Sequence, residues 1–301
     1  MAEMVTSRFL VVTNERITPG IGYLKEALPK TGLARTARTL LGSPLLSIDR
    51  AQAAPTQWSS RLLHLGGAPD GLQQVIEARH HVLLTSVAAP SDQPRHAQAA
   101  RLVARVLAAA MSGSLVDLDS HQVLASSTTT EPERFVLGNE WVGVLVSLAD
   151  DRDVEHCIRV GTAGMHCFGL PEVMASEVPY GHMLTAVNIL RALAFRLLSD
   201  GGLAAKFTLE AGDLLRFWGA RPGRAGRLPL RLAPAESDCP DCSTALAVLP
   251  PTRRGAGLKA PPSIGCGTDR DTVPPTGWGD PVWWEEKAGK AMPKLMSAAP
   301  E

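Results

Sequence analysis

Two cysteines in the sequence Cys-Pro-Asp-Cys form the sharpest short motif of this chain. Thiolates at the spacing of Cys239 and Cys242 chelate one zinc ion or form a redox disulfide. Cys266 is a candidate third zinc ligand, and no histidine follows His182 to supply the fourth. A thioredoxin-like pair lies at a helix N-terminus after a strand, whereas this pair lies between a loop and a predicted strand. The alternative to a zinc site is therefore two free thiols in a loop.

A second set of reactive side chains lies upstream, where His166 and Cys167 precede Glu172. These three residues are the candidate catalytic set. A cysteine nucleophile needs a base within hydrogen-bond reach, and the fold usually brings the two together rather than their adjacency. His156 could serve as the base if a hairpin lies beside this loop. In the alternative interpretation, Phe168 is a core residue and the neighbouring glycines form turns.

Two aspartates alternate with apolar residues in the sequence Val-Asp-Leu-Asp, which ends at Asp119. Alternation places Asp117 and Asp119 on the same face of a strand. Paired carboxylates bind metals or perform acid–base chemistry. Asp119 is also suited to the turn that follows the strand.

Three tryptophans near the C-terminus are candidate partner-binding residues. Trp278, Trp283 and Trp284 lie in a tail, residues 251–301, that is rich in proline and glycine and ends in a short predicted helix. A tryptophan cluster in such a tail can dock on its own domain, on a second copy of the chain or on another protein. We therefore expect a protein partner or self-association.

Two periodic helices and several strands must position these side chains. Apolar residues recur at helical spacing over 95–111, where Arg101 and Arg105 fall largely outside the apolar stripe, and again over 180–198. Hairpins are predicted for 141–148 with 154–160 and for 228–232 with 245–249. The pattern indicates an α+β fold, with a mixed or antiparallel sheet and two main helices packed on one face. It predicts a variable N-terminal segment over 1–59 and a core domain over 60–250.

Composition limits the classes of function. The 30 basic and 30 acidic residues balance, whereas a nucleic-acid-binding protein normally carries a basic excess, so we expect no nucleic-acid partner. No apolar run is long enough to span a bilayer, and the N-terminus lacks the apolar region of a secretory signal. With five cysteines, an odd number, this predicts a cytoplasmic protein with free thiols and no membrane association.

The central block of the chain resembles an uncharacterised group of actinobacterial proteins. The shared features are HHVLLTSVAAP, the helix AQAARLVARVLAAA, SLVDLDSHQVLA and VGTAGMHCFGLPEV, with the compact motif Phe168–Glu172. The resemblance covers roughly residues 60–250. It implies a bacterial cytosolic origin and a single α+β domain, and it implies no activity, cofactor or catalytic residue.

Two functions remain open at this level. The first is an accessory or protein-interaction protein without evident catalysis, indicated by long tails with apolar anchors. The second is a metal- or thiol-dependent enzyme or a zinc-binding module, which would use Cys239 and Cys242 or His166 and Cys167. Zinc is the cofactor that the second function implies.

Overall fold

The chain folds into two compact units. The structure, a computed structural model, describes residues 4–16, 18–51, 69–124, 129–148, 157–201, 205–217, 219, 226–235, 242, 245–249 and 283–292. The first unit comprises Met1–Phe135 and His166–Gly169, and the second comprises Val136–Met165 and Leu170–Glu301. Residues 60–250, predicted as one domain, are therefore divided between two units.

The first unit is an antiparallel sheet with helices. Its elements in chain order are β1 (Val5–Thr13), α1 (Ile21–Ala27), α2 (Gly32–Leu40), β2 (Leu46–Ala51), α3 (Pro69–Glu77), β3 (His80–Ala88), a 3-10 turn (Pro90–Asp92), α4 (Arg95–Ala110), β4 (Ser114–Asp117) and β5 (Gln122–Leu124). The described strands form the order β2-β3-β1-β4-β5. Every described pair of neighbouring strands in this sheet is antiparallel.

The central position of β1 corrects the prediction for residues 1–59. These residues were expected to form a variable segment, yet β1 pairs with β3 on one side and with β4 on the other. Leu10 and Val12 pack with Val75 of α3, while Phe9 and Val11 point to the opposite face and are also buried. The apolar run Phe9–Val12 is thus the middle of a sheet that is covered on both faces.

Helix α4 confirms the predicted periodicity but buries its polar face as well. Arg101 and Arg105, which the pattern placed outside the apolar stripe, are both buried. Arg101 Nε and Nη2 donate to Glu131 at 2.8 and 2.9 Å, and Arg105 Nε donates to the same carboxylate. A buried guanidinium requires a partner of this kind. The partner lies outside the helix, so helical spacing alone does not reveal it.

The second unit contains the other main helix. Its elements are α5 (Gly138–Trp141), β6 (Gly143–Leu148), β7 (Cys157–Ala163), β8 (Glu172–Pro179), a 3-10 turn (Tyr180–His182), α6 (Met183–Asp200), β9 (Lys206–Glu210), α7 (Ala211–Phe217), β10 (Arg227–Ala235), β11 (Ala245–Leu249), a π-helical turn (Trp284–Ala288) and α8 (Gly289–Ala291). The described strands follow the order β6-β7-β8-β11-β10-β9. Both predicted hairpins, β6 with β7 and β10 with β11, are confirmed.

The sheet of the second unit is mixed, because β8 and β11 run parallel while its other described neighbours run antiparallel. Helix α6 contacts β7, β8 and β9, and Leu190 and Leu193 are fully buried within it. The predicted α+β class with mixed or antiparallel sheets is confirmed, and each of the two sheets carries one main helix. Among the described residues, no helix has the length and apolar character needed to cross a bilayer.

Candidate metal centre

A tight turn after β4 places two aspartates at the end of the strand. Asp117 Oδ1 accepts hydrogen bonds from the backbone N–H groups of Asp119 and Ser120, each at 3.0 Å. Leu118 N donates to the carbonyl of Arg8 at 3.1 Å, which ties the turn to β1. The sequence indicated Asp119 as the turn residue, whereas the carboxylate that accepts the hydrogen bonds of the turn is that of Asp117. The turn holds Asp119 at a fixed position beside Arg8.

Arg8 and Asp119 form an ion pair with several hydrogen bonds. Asp119 Oδ2 accepts the backbone N–H of Arg8 at 2.6 Å, and Asp119 Oδ1 accepts Arg8 Nε at 3.1 Å and Nη2 at 3.0 Å. The Asp119 side chain is only 2% exposed, whereas the Arg8 side chain is 22% exposed. The carboxylate is therefore buried, and the guanidinium is the more exposed partner.

The segment His166–Gly169 brings a histidine and a cysteine to this carboxylate. It follows β7 as a 3-10 turn, Met165–Phe168, and Gly169 ends it with φ +73°. A Cβ at Gly169 would lie 3.2 Å from Pro90 and 3.4 Å from Val5, so only glycine allows so close an approach to the first sheet. Phe168 adds an edge-on contact with Phe135 at 5.7 Å between ring centroids.

Three side chains of different types converge at this point. His166 Nε2 lies 3.3 Å from Asp119 Oδ1. One ligand atom from each of Asp119, His166 and Cys167 lies within 4.8 Å of the other two. A helical turn does not send neighbouring residues to opposite sides as an extended segment does, so adjacent His166 and Cys167 can face one site.

The two aspartates have opposite electrostatic character. Burial, and then the negative charge of Asp119, raise the pKa of Asp117 to about 7. Burial also opposes ionisation of Asp119, but the hydrogen bond to His166 and the charge of Arg8 lower its pKa to about 2. Asp119 is thus the ionised member of the pair.

Burial is the main reason that Cys167 stays protonated. Burial raises the pKa of the Cys167 thiol well above its ordinary value, and the charge of Asp119 raises it further, while the hydrogen bond to His166 opposes this rise. A nucleophilic cysteine requires the reverse, a pKa lowered by positive surroundings. Cys167 is therefore not a resting nucleophile, and a metal ion would supply the positive charge that its thiolate form needs.

The predicted set of His166, Cys167 and Glu172 is divided between the units. Glu172 begins β8 in the second unit, where its carboxylate accepts hydrogen bonds from Thr162 Oγ1 at 2.7 Å and from Gly164 N at 3.0 Å. Cys242 Sγ donates to Glu172 Oε1 at 3.8 Å. Within the first unit, Asp119 is the carboxylate beside His166 and Cys167.

The sequence predicted free thiols, but the described cysteines are not all free thiols. Cys157 is disulfide-bonded, whereas Cys167 and Cys242 carry thiols. This corrects the expectation at Cys157. Cys239 and Cys266 lie outside the described residues, so zinc binding by Cys239, Cys242 and Cys266 remains a prediction.

One of the three C-terminal tryptophans is part of the core of the second unit. Trp284 is fully buried, stacks on His182 with ring centroids 5.7 Å apart, and contacts Trp283 edge-on at 5.0 Å. Docking of this segment on its own domain agrees with one of the predicted alternatives. Buried Trp284 does not present its ring to a partner, and Trp278 lies outside the described residues.

Sequence reasoning missed Arg8 as a site residue. Arg8 is a cationic residue beside the apolar run Phe9–Val12, which indicates that it needs an anionic partner. The aspartates of the Val-Asp-Leu-Asp segment are candidates for that partner. Their pairing joins residues 111 positions apart, which no local pattern reveals.

Comparison with protein-family models, with curated proteins and with solved structures gives no match for this chain.

Proposed function

We propose that the first unit is a transition-metal-binding module of the zinc class, in which Asp119, His166 and Cys167 supply the protein ligands. The observation that carries this proposal is the convergence of their three ligand atoms within 4.8 Å. Carboxylate oxygen, imidazole nitrogen and thiolate sulfur are the ligand types that zinc takes in proteins. This set differs from the cysteine set predicted around Cys239 and Cys242.

The distance between two of the donors fits a metal directly. Zinc binds nitrogen and oxygen at about 2.0–2.1 Å, so two such ligands in a tetrahedral site lie about 3.3 Å apart. His166 Nε2 and Asp119 Oδ1 are separated by 3.3 Å. The pair therefore needs little movement to ligate one ion, and Cys167 completes a set of three.

The ligand number bears on the kind of site. Structural zinc sites have four protein ligands, whereas catalytic sites have three and leave a position for water or substrate. Within the first unit, the described residues that converge supply three. We accordingly propose an exchangeable rather than a closed structural site, and the reaction that such a site would serve is left unassigned.

Metal analysis of the purified full-length protein tests this function. We expect about one equivalent of zinc per chain, and loss of more than about 100-fold in affinity in the C167S and D119N variants. C242S is the discriminating variant, because Cys242 is the other described cysteine that carries a thiol and is not a member of the proposed ligand set. Metal that persists in C167S and disappears in C242S would assign zinc to the other cysteines and contradict the proposal.

A second candidate function, association with a protein, is favoured by strand β6. It is an end strand of the described sheet, and its exposed apolar side chains Val146 and Leu148 are 47% and 79% accessible. The strand sequence Gly143–Leu148 contains no charged residue. Uncharged apolar end strands pair readily with another strand, so we propose self-association through β6 as this function.

A further inference from the structure

We infer that Arg8 is a built-in competitor for the metal and that its guanidinium must leave Asp119 before an ion binds. This inference rests on the proposed metal-binding function of the first unit. It concerns the regulation of that site, because the affinity for metal then depends on a residue that is not a ligand.

The competition follows from the hydrogen bonds of one oxygen atom. Asp119 Oδ1 accepts both Nε and Nη2 of Arg8, at 3.1 and 3.0 Å. The same oxygen faces His166 Nε2 at 3.3 Å and is therefore the atom that would ligate a metal held by His166. A carboxylate oxygen offers about two lone-pair sites, and Oδ1 already meets three nitrogen atoms, so a metal ion that binds Oδ1 must displace N–H groups of the guanidinium fork.

Charge adds to this exclusion. A divalent ion and a guanidinium bound to one oxygen would lie only a few ångströms apart, and like charges at that distance repel strongly in a buried site. The Asp119 side chain is buried, and Arg8 is the more exposed partner at 22%. Arg8 therefore moves toward solvent, while Asp119 stays in place.

The backbone keeps the ligand positioned during this exchange. Asp119 Oδ2 accepts the N–H of Arg8 at 2.6 Å, a bond that does not involve the side chain. The turn is also fixed by the bonds of Asp117 to the N–H groups of Asp119 and Ser120. Removal of the guanidinium should thus free Oδ1 without displacing the carboxylate.

Zinc affinity of the R8M variant tests the inference, with methionine retaining an unbranched apolar stem. In competition with a chromogenic chelator, we expect R8M to bind zinc about ten-fold or more tightly than the natural sequence. R227M is the matched control, because it removes an exposed arginine that pairs with Glu210 at 3.3 Å in the second unit. Equal zinc affinity of R8M and the natural sequence would overturn the inference.

Chemical labelling of the unaltered chain gives an independent reading. Phenylglyoxal modifies accessible guanidinium groups, and peptide mass spectrometry reports each arginine separately. We expect zinc to increase the labelling rate of Arg8 several-fold and to leave that of Arg227 unchanged. If no variant binds zinc, the proposed function itself fails. If zinc binds but neither labelling nor affinity depends on Arg8, only the competition is refuted.

Discussion

Replacing Asp117 with asparagine tests the electrostatics that hold the candidate centre together. Asparagine retains a side-chain oxygen at the position that accepts the N–H groups of Asp119 and Ser120. It removes the charge beside Asp119. The variant therefore changes the ionisation of the pair while leaving the hydrogen bonds of the turn in place.

The size of the effect follows from the pKa of Asp117, which rises from 3.8 to about 7 because of burial and then of Asp119. A carboxyl whose pKa is higher in the folded state binds more protons there than in the unfolded chain. The contribution of Asp117 to the free energy of unfolding therefore falls as the pH rises from about 4 to about 7. The difference between 3.8 and about 7 corresponds to about 4 kcal/mol, and the charge of Arg101 is already included in that pKa.

Urea unfolding of both proteins with a metal chelator present measures this difference. We expect D117N to match the natural sequence near pH 4 and to become more stable than it by about 2–4 kcal/mol near pH 8. Every other titrating group is common to the two proteins, so the divergence isolates Asp117. Parallel stability curves, or a less stable D117N near pH 8, would refute the reasoning and indicate that Asp117 is an ionised partner of Arg101.

Two further predictions concern the second unit. W284A should lose about 3–5 kcal/mol of stability, because it removes a fully buried ring that stacks on His182. Thermal unfolding measures this loss. An unchanged melting temperature would show that the C-terminal segment does not dock. The double variant V146K/L148K should lower the weight-average molar mass measured by sedimentation equilibrium, because charged side chains on an end strand block its pairing with another strand. I76K, which alters an exposed apolar residue of the first unit, is its control, and an equal reduction there would remove the argument for β6.

The sequence predicted those elements whose signal is local. The spacing of Leu102, Val103 and Val106 is enough to predict α4, and the long apolar run around Leu190 predicts α6. The reason is that the residues on a buried helix face are apolar and recur at helical spacing in the sequence. Both predicted hairpins were found for the same reason, since turns and alternation are short-range patterns.

The position of β1 and the burial of the α4 arginines could not be predicted in this way. Strand β1 is central only because β3 and β4, far along the chain, pair with its two edges. Arg101 is buried only because Glu131 meets it. Such contacts depend on the tertiary fold. Helical periodicity alone predicts that the same arginines lie on a solvent-exposed face.

The candidate site was predicted in its parts and not in its assembly. Residue type alone indicates His166, Cys167 and the two aspartates as candidates, but the sequence does not pair Asp119 with His166. The two meet because the turn after β4 and the segment His166–Gly169 come together in the first unit. Non-local convergence of this kind has no signature in a single sequence.

X-ray absorption spectroscopy of the zinc-loaded, full-length protein tests the proposed centre most directly. Ligation by Asp119, His166 and Cys167 predicts one sulfur at about 2.3 Å and nitrogen or oxygen neighbours at about 2.0–2.2 Å, with an unchanged spectrum in C242S. A spectrum with two or three sulfur neighbours that is lost in C242S would place zinc at the other cysteines. A spectrum without sulfur would exclude Cys167, and either result would contradict the centre described for the first unit.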